Sequence, residues 1–236
     1  MPAYGTLYLI PAVIAENTAS SVLPSHNTTI IQELDEFIVE NDRTARRFLK
    51  SIGYSKSLDS VILHTLNKHT ERDNIPDFIQ ALLKGKNVGL LSEAGCPCIA
   101  DPGSVVVALA HDYHIPIKPL VGPSSIFLAL MASGFNGQNF AFNGYLPIEQ
   151  KERIRKLREL ENKALREDQT QIFMETPYRN LQIFQCIVSH CKPSSHLCIA
   201  ANITDADEFI QTKTIAEWKN ISPQIHKKTA IFLLYK

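Results

Sequence analysis

Val88-Gly89-Leu90-Leu91-Ser92-Glu93-Ala94-Gly95-Cys96-Pro97-Cys98-Ile99-Ala100-Asp101-Pro102-Gly103 is the stretch on which the fold turns. It opens as a short apolar strand, with Gly85 just before it as a helix stop. From Ser92 it becomes a loop marked by Gly95, Pro97, Pro102 and Gly103. An apolar run from Val105 to Ala110 then reads as a helix entered through Ser104. Open α/β sheets build ligand sites in this way, beyond the carboxyl ends of the strands, where backbone N–H groups are free to bind. Ordinary connections of this kind run about two to six residues. Twelve residues separate strand from helix here, which favours a binding loop over a plain connection. Gly95 and Gly103 would let backbone approach a ligand with no Cβ in the way.

Working outward, Leu7-Tyr8-Leu9-Ile10 is a fully apolar strand stopped by Pro11, with Ala12 to Asn17 as its loop. The absence of Gly-x-Gly-x-x-Gly there argues against ordinary dinucleotide binding. Phe37-Ile38-Val39 reads as a second strand running into Glu40-Asn41-Asp42-Arg43, and Ala45 to Ile52 as a helix stopped by Gly53. Val61-Ile62-Leu63 is a third strand, ending at His64 and trailed by Asn67, His69 and Glu71. Asn74, Pro76 and Gly85 frame a helix that is apolar at Phe78, Ile79, Leu82 and Leu83. Ile115 to Val121 carries prolines at 116 and 119, the mark of an edge strand or an exit from the sheet. We place the domain boundary there, giving an N-terminal domain over 1–117 and a C-terminal one over 118–236.

Beyond it, Gly122-Pro123-Ser124-Ser125 leads into a helix from Ile126, where Ser124 or Ser125 can cap and leave N–H groups free for an anion. Phe140–Tyr145 is a strand. Glu149 to Arg166 is a charged helix whose basic side chains interleave with acidic ones, as on a solvated face. Gln169 to Met174 is a strand, after which Thr176 as N-cap and Pro177 as first residue open another helix. Ser195 to Ala201 and Glu208 to Lys213 read as an antiparallel hairpin. A short helix near Ile215–Lys219 and a last strand at Thr229–Tyr235 complete the chain. The fold class expected is therefore α/β, with a mostly parallel N-terminal sheet and a mixed C-terminal one.

The 24 basic and 24 acidic residues balance, so net charge offers no help to non-specific nucleic-acid binding. No apolar run approaches the roughly 20 residues of a membrane span, and the N-terminus does not read as a signal peptide. The five cysteines, Cys96, Cys98, Cys186, Cys191 and Cys198, are an odd number that points to reduced thiols in the cytoplasm. Cys96-Pro97-Cys98 lacks the two-residue gap of a zinc pair, so no metal is expected.

Four stretches, taken in order, resemble one family. They are Leu9-Ile10-Pro11, the loop from Ser92 to Gly103, Pro119-Leu120-Val121-Gly122-Pro123-Ser124-Ser125, and Gly144-Tyr145-Leu146-Pro147 with Glu175-Thr176-Pro177-Tyr178-Arg179. Their order and spacing resemble the tetrapyrrole methylase superfamily of S-adenosylmethionine-dependent methyltransferases, and within it the ribosomal RNA branch. The resemblance implies two α/β domains with the cofactor in the cleft between them, and a homodimer. It implies cofactor contacts from Pro11, Ser92, Glu93, Ala94, Gly95, Cys96, Ile99, Ala100 and Asp101. Ser124 and Ser125 would face the methionine part, with Met174, Glu175, Thr176 and Ala230 closing the pocket.

The chain also departs from that branch. Ile14-Ala15-Glu16-Asn17 stands where the branch has Ile-Gly-Asn-Leu, and Val39-Glu40-Asn41-Asp42-Arg43 where it has Ala-Glu-Asp-Thr-Arg. The branch's His-Asn-Glu stretch is blurred into His64 to His69. Its Arg-Glu-Leu-Thr-Lys becomes Ala201-Asn202-Ile203-Thr204-Asp205, trading basic groups for neutral and acidic ones. Cofactor-side motifs are thus kept better than substrate-side ones. Methyl transfer asks mainly for alignment and exclusion of water, and a hydroxyl acceptor adds the need for a base. Asp101, Glu93, Asp42, His64 and His69 are the candidates, each also readable as a turn or cap residue. The expected activity is methylation of RNA at a ribose 2′-hydroxyl. The alternatives are a small, tetrapyrrole-like acceptor or a non-catalytic module that binds S-adenosylmethionine.

Overall fold

The computed structural model describes residues 4–67, 70 and 72–236, with side chains left aside at 72–75. The chain divides into two compact units, Met1–Ser124 and Ser125–Lys236.

Five strands form the first unit's sheet: β1 (Leu7–Ile10), β2 (Glu36–Val39), β3 (Ile62–Thr65), β4 (Val88–Leu91) and β5 (Ile117–Pro119). Their order is β3-β2-β4-β1-β5 and every pairing is parallel. A parallel sheet covered on both faces needs strands apolar on both sides, and β4 is buried at all four positions. Helices α1 (Ala19–Val22), α2 (Ser25–Glu33), α3 (Asp42–Ser51), α4 (Gln80–Leu83) and α5 (Ser104–Asp112) make the crossovers. Ile31 and Leu34, from α2 and its C-terminus, and Phe48 and Leu49 of α3 pack with Ile10, Phe37 and Leu91. On the other face Leu82 of α4 and Val106 and Ala110 of α5 pack with Leu7, Ile38 and Leu90. Pro119 sits on an edge strand, where its missing N–H breaks no ladder.

Three local readings change. Helix α3 begins at Asp42, three residues before Ala45, because the Asn41 side chain accepts from the N–H groups of Arg43 and Thr44 and caps it. The segment around Pro76 is a 3₁₀ stretch, Arg72–Ile79, before the single turn of α4. A proline inside a helix removes one donor and crowds the preceding turn. Helices α1 and α2 were not expected at all.

The second unit orders its strands β6 (Phe140–Tyr145), β7 (Thr170–Glu175), β10 (Ala230–Tyr235), β8 (His196–Ala201) and β9 (Phe209–Thr214) in that sequence across the sheet. β6 and β7 are parallel and the other pairs antiparallel, so the sheet is mixed. One face packs on α7 (Gln150–Glu167), α8 (Asn180–His190) and α9 (Ile215–Trp218) through Leu157, Leu160, Ile183, Ile187 and Trp218. The other packs on α6 (Ser125–Ser133) through Ile126, Ala129 and Leu130. Helix α8 begins at Asn180 rather than beside Thr176. A turn over 177–179 comes first, pinned where the Lys227 N–H donates to the Pro177 carbonyl at 3.1 Å. Among the described residues, no helix is long and apolar enough to cross a membrane.

Candidate functional site

Three loops leave the carboxyl ends of neighbouring strands β4, β1 and β5 and are stitched together. The Ala12 N–H donates to the Gly95 carbonyl at 2.9 Å and the Gly95 N–H returns to the Ala12 carbonyl at 3.2 Å. Gly95 sits at φ +71°, a conformation that costs other residues about 1–2 kcal/mol. Gly122 lies so close to Pro11 that a Cβ there would fall 2.2 Å from the Pro11 Cβ. The Cys96 thiol reaches the Pro123 carbonyl at 3.4 Å, and the buried Asn27 of α2 donates to the Val121 carbonyl at 2.7 Å. Pro11, the 92–103 loop and the Gly122-Pro123-Ser124 turn, distant in sequence, therefore form one cluster. Helix α6 starts at Ser125, in the second unit.

Inside the 92–103 loop, Cys98 and Ala100 also hold positive φ, 68° and 64°. Non-glycine residues stay there only when their surroundings hold them. Asp101 supplies that hold. Its carboxylate accepts from the Cys98 N–H at 2.9 Å and from the Gly103 N–H at 2.7 Å. Burial raises the Asp101 carboxyl above its ordinary value, and the Gly103 and Cys98 N–H groups pull it back. Gly103 is surrounded by the protein itself, since a Cβ would stand 3.0 Å from Asp101 Oδ1 and from Leu90 Cδ2. Burial, helped by the Asp101 charge, pushes the Cys98 thiol up to about 11, so it stays protonated at neutral pH. Ser92 is buried and bonds the Gly95 carbonyl at 3.0 Å, while Ala94, Ile99 and Ala100 are exposed.

The carboxylates part company. Glu93 is exposed and accepts from Thr44 Oγ1 at 3.3 Å. Asp42, the first residue of α3, accepts from Thr65 Oγ1 at 2.8 Å. His64 lies 2.7 Å from Glu36, at the opposite end of β2, with its ring edge-on to Phe78. His69 lies outside the described residues, as does Glu71. Glu40 is the residue that sequence reasoning passed over. It directly follows β2, is half-buried, and accepts the Glu93 N–H at 3.2 Å. Burial raises its carboxyl above the ordinary value. The Glu93 N–H opposes this, and the charges of Asp101 and Glu93 add to it. With Val39, Leu66, Leu90, Leu91, Pro97, Asp101, Pro102 and Gly103 it lines a concavity of about 180 Å³. Much of that space is open to solvent, and the part within the protein has room for a single functional group. The sequence signal for Glu40 is its place right after a strand, two residues before Asp42.

In the second unit, Tyr145 pairs with Met174 and Ala230 with Glu175, so its expected site residues share one end of the sheet. Glu175 is buried, accepts the Thr176 N–H at 2.7 Å and lies 3.0 Å from the Arg179 guanidinium. The segment Ala201–Asp205 turns back on itself. Asn202 at φ 47° and Thr204 at φ 71° shape the turn, and the Asn202 amide donates to Asp207 at 2.8 Å. All five cysteines are free thiols. Among the described residues, no group of three or more His, Cys, Asp or Glu is arranged to hold a metal.

A family model described as Tetrapyrrole (Corrin/Porphyrin) Methylases matches residues 27–219. Ribosomal RNA small subunit methyltransferase I of Buchnera aphidicola subsp. Schizaphis graminum (strain Sg) is 34% identical over 233 residues, covering 98% of this chain and 78% of that protein. The protein of the same name from Escherichia coli O157:H7 is 29% identical over 213 residues, 90% of this chain and 70% of that one. Among solved structures, the methyltransferase CobJ is similar in fold, with a TM-score of 0.63 at 15% identity, covering 99% of this chain and 94% of that one.

Proposed function

The chain belongs to the tetrapyrrole (corrin/porphyrin) methylase family, and from that premise we propose that it is an S-adenosylmethionine-dependent methyltransferase acting on ribosomal RNA, at a ribose 2′-hydroxyl. The observation that carries this reading is similarity along 98% of the chain to proteins named for small-subunit ribosomal RNA. We place its work in the cytoplasm and its active form as a homodimer, which light scattering on the purified chain tests.

The residues present fit the cofactor. The two-way bridge between Ala12 and Gly95 ties two loops together at the strand ends, and glycine there leaves the main chain beside it open to a nucleoside without side-chain interference. The carboxylates of the 92–103 loop, Glu93 and Asp101, suit a cationic sulfonium. Bound S-adenosylmethionine supplies an electrophilic methyl group. Pro11, Ser92, Glu93, Ala94, Gly95, Cys96, Ile99, Ala100, Asp101 and Ser124 would hold it from the first unit. The same reading assigns contacts to Ser125, Met174, Glu175, Thr176 and Ala230 of the second. Rigid loops that orient the acceptor and exclude water contribute most of what an in-line displacement needs.

A second reading, with a small, tetrapyrrole-like acceptor, is favoured by one feature: the 201–205 turn carries Asp205 and no basic side chain. The deciding experiment incubates the chain with labelled S-adenosylmethionine and, in parallel, isolated small ribosomal subunits, total RNA and a porphyrin panel. A labelled ribose in 16S-type RNA supports the ribosomal reading. Label on a porphyrin alone would replace it with the small-molecule reading. Binding without transfer to any acceptor would leave a non-catalytic module.

A further inference from the structure

Two carboxylates face the concavity at the ends of β2 and β4, and their hydrogen bonds separate their roles. Asp101 is committed to its own loop, since its oxygens take the N–H groups of Cys98 and Gly103 and so hold the left-handed turns at Cys98 and Ala100. Glu40 uses only Oε1, for the Glu93 N–H, and its Oε2 takes no hydrogen bond from the described residues. The remaining walls are mostly apolar, formed by Val39, Leu66, Leu90, Leu91, Pro97 and Pro102. A carboxylate with one oxygen anchored and the other without a hydrogen bond from the described residues, in a small and largely apolar recess, is placed to receive a proton.

We propose that Glu40 is the proton acceptor of the methyl transfer and takes the hydroxyl proton of the methyl acceptor at Oε2. The proposal rests on the ribosomal reading above. In the step, the acceptor oxygen forms its bond to the methyl carbon while the carbon–sulfur bond breaks and its electron pair stays on sulfur. The hydroxyl proton moves to Glu40, which becomes a neutral carboxyl and returns the proton to water after product release. The anchored Oε1 fixes the rotamer, so the base is aimed before the acceptor arrives. Burial raises the carboxyl above its ordinary value, which strengthens it as a base. The charged groups acting on it are Asp101 and Glu93 from the loop after β4. Asp42 on the following helix is turned to Thr65 instead, and Leu66 forms the wall beyond β3.

The test uses the full chain, labelled S-adenosylmethionine and isolated small ribosomal subunits, with Glu40→Gln and Glu40→Asp beside the wild type. Gln keeps the Oε1 acceptor for the Glu93 N–H but cannot take a proton. Turnover in E40Q should fall about 10²- to 10⁴-fold, the range that general-base catalysis supplies. Calorimetric affinity for S-adenosylhomocysteine should stay within about twofold, because the group acts on the acceptor. The acid limb of the wild-type pH–rate profile should vanish in E40Q, and E40D should recover part of the rate. Melting curves on each variant separate a lost base from a lost fold. Transfer by E40Q within about fivefold of the wild type would overturn the proposal alone. So would a parallel loss of S-adenosylhomocysteine affinity, which would make Glu40 a cofactor ligand. A wild-type chain that binds S-adenosylhomocysteine but labels no ribosomal RNA would overturn the ribosomal reading, and this proposal with it.

Discussion

At the scale of single residues, Gly95 joins a backbone requirement to the binding role proposed for its loop. Its φ of +71° and its paired bonds to Ala12 leave room for a Cβ, the nearest atom being the Pro123 carbonyl oxygen at 3.5 Å. The cost of replacing it is therefore conformational, and greatest for a β-branched side chain. Gly95→Val should weaken S-adenosylhomocysteine binding by about 5- to 30-fold in calorimetry, roughly what 1–2 kcal/mol of backbone strain implies, and Gly95→Ala should weaken it less. Unchanged affinity in the Val variant would move the site off this loop. Glu40 carries a prediction of opposite sign for stability. A carboxyl raised by burial favours the protonated form when folded, so its contribution is full at acid pH and declines as pH rises through the raised value. Glu40→Gln should therefore melt higher than the wild type at pH 7, with the difference closing below the ordinary carboxylate range near 4.5. A base that costs stability where it acts would show this trade.

At the scale of elements, the ties between loops and helices matter more than the helices' own propensities. Asn27 on α2 is buried and its amide holds the Val121 carbonyl, the exit from β5 into the Gly122-Pro123-Ser124 turn. Asn27→Ala removes that donor and should lower stability by about 1–3 kcal/mol, since the carbonyl is left without its partner. Urea titration followed by circular dichroism measures it. In the second unit α9 is only one turn long and depends on a capping box, in which the Thr214 hydroxyl accepts the Glu217 N–H and Glu217 returns to the Thr214 N–H. Thr214→Ala should cost about 1 kcal/mol. The opening of α8 is the case where element reading fell short. Thr176 and Pro177 satisfy every local rule for a helix start, yet Asn180 is drawn inward to the Ile225 and Lys228 carbonyls at 3.0 and 2.6 Å. Long-range bonds spent the residues before it on a turn.

At the scale of the whole molecule, each unit has a sheet with cores on both faces and can be monitored by itself. Trp218, the single tryptophan, is fully buried in the second unit and donates to the Leu197 carbonyl at 2.9 Å. It packs edge-on to Phe184, in the same core as Leu160. Leu160→Ala should therefore lower the stability read by tryptophan fluorescence by about 2–5 kcal/mol, the range for emptying a tightly packed core site. A fluorescence midpoint unmoved by that change would mean the core relaxes to fill the gap. The even charge of 24 against 24 makes any grip on RNA a matter of local groups and not of the overall field.

The sequence by itself determined the α/β class, the strands, and the overlong connection between Leu91 and Ser104. Those readings depend on local rules: apolar runs make strands, and glycine and proline break them. Only the tertiary structure decided which loops meet. Strand order β3-β2-β4-β1-β5 sets β4 between β1 and β2, which brings Gly95 to Ala12 and the Glu93 N–H to Glu40, 53 residues away in the chain. It also decided that Asp101 braces its loop while Glu40 Oε2 takes no hydrogen bond from the described residues. Neither fact is carried by local sequence, because hydrogen-bond partners are allotted by which strands lie side by side, and that order is set by packing on both faces of the sheet.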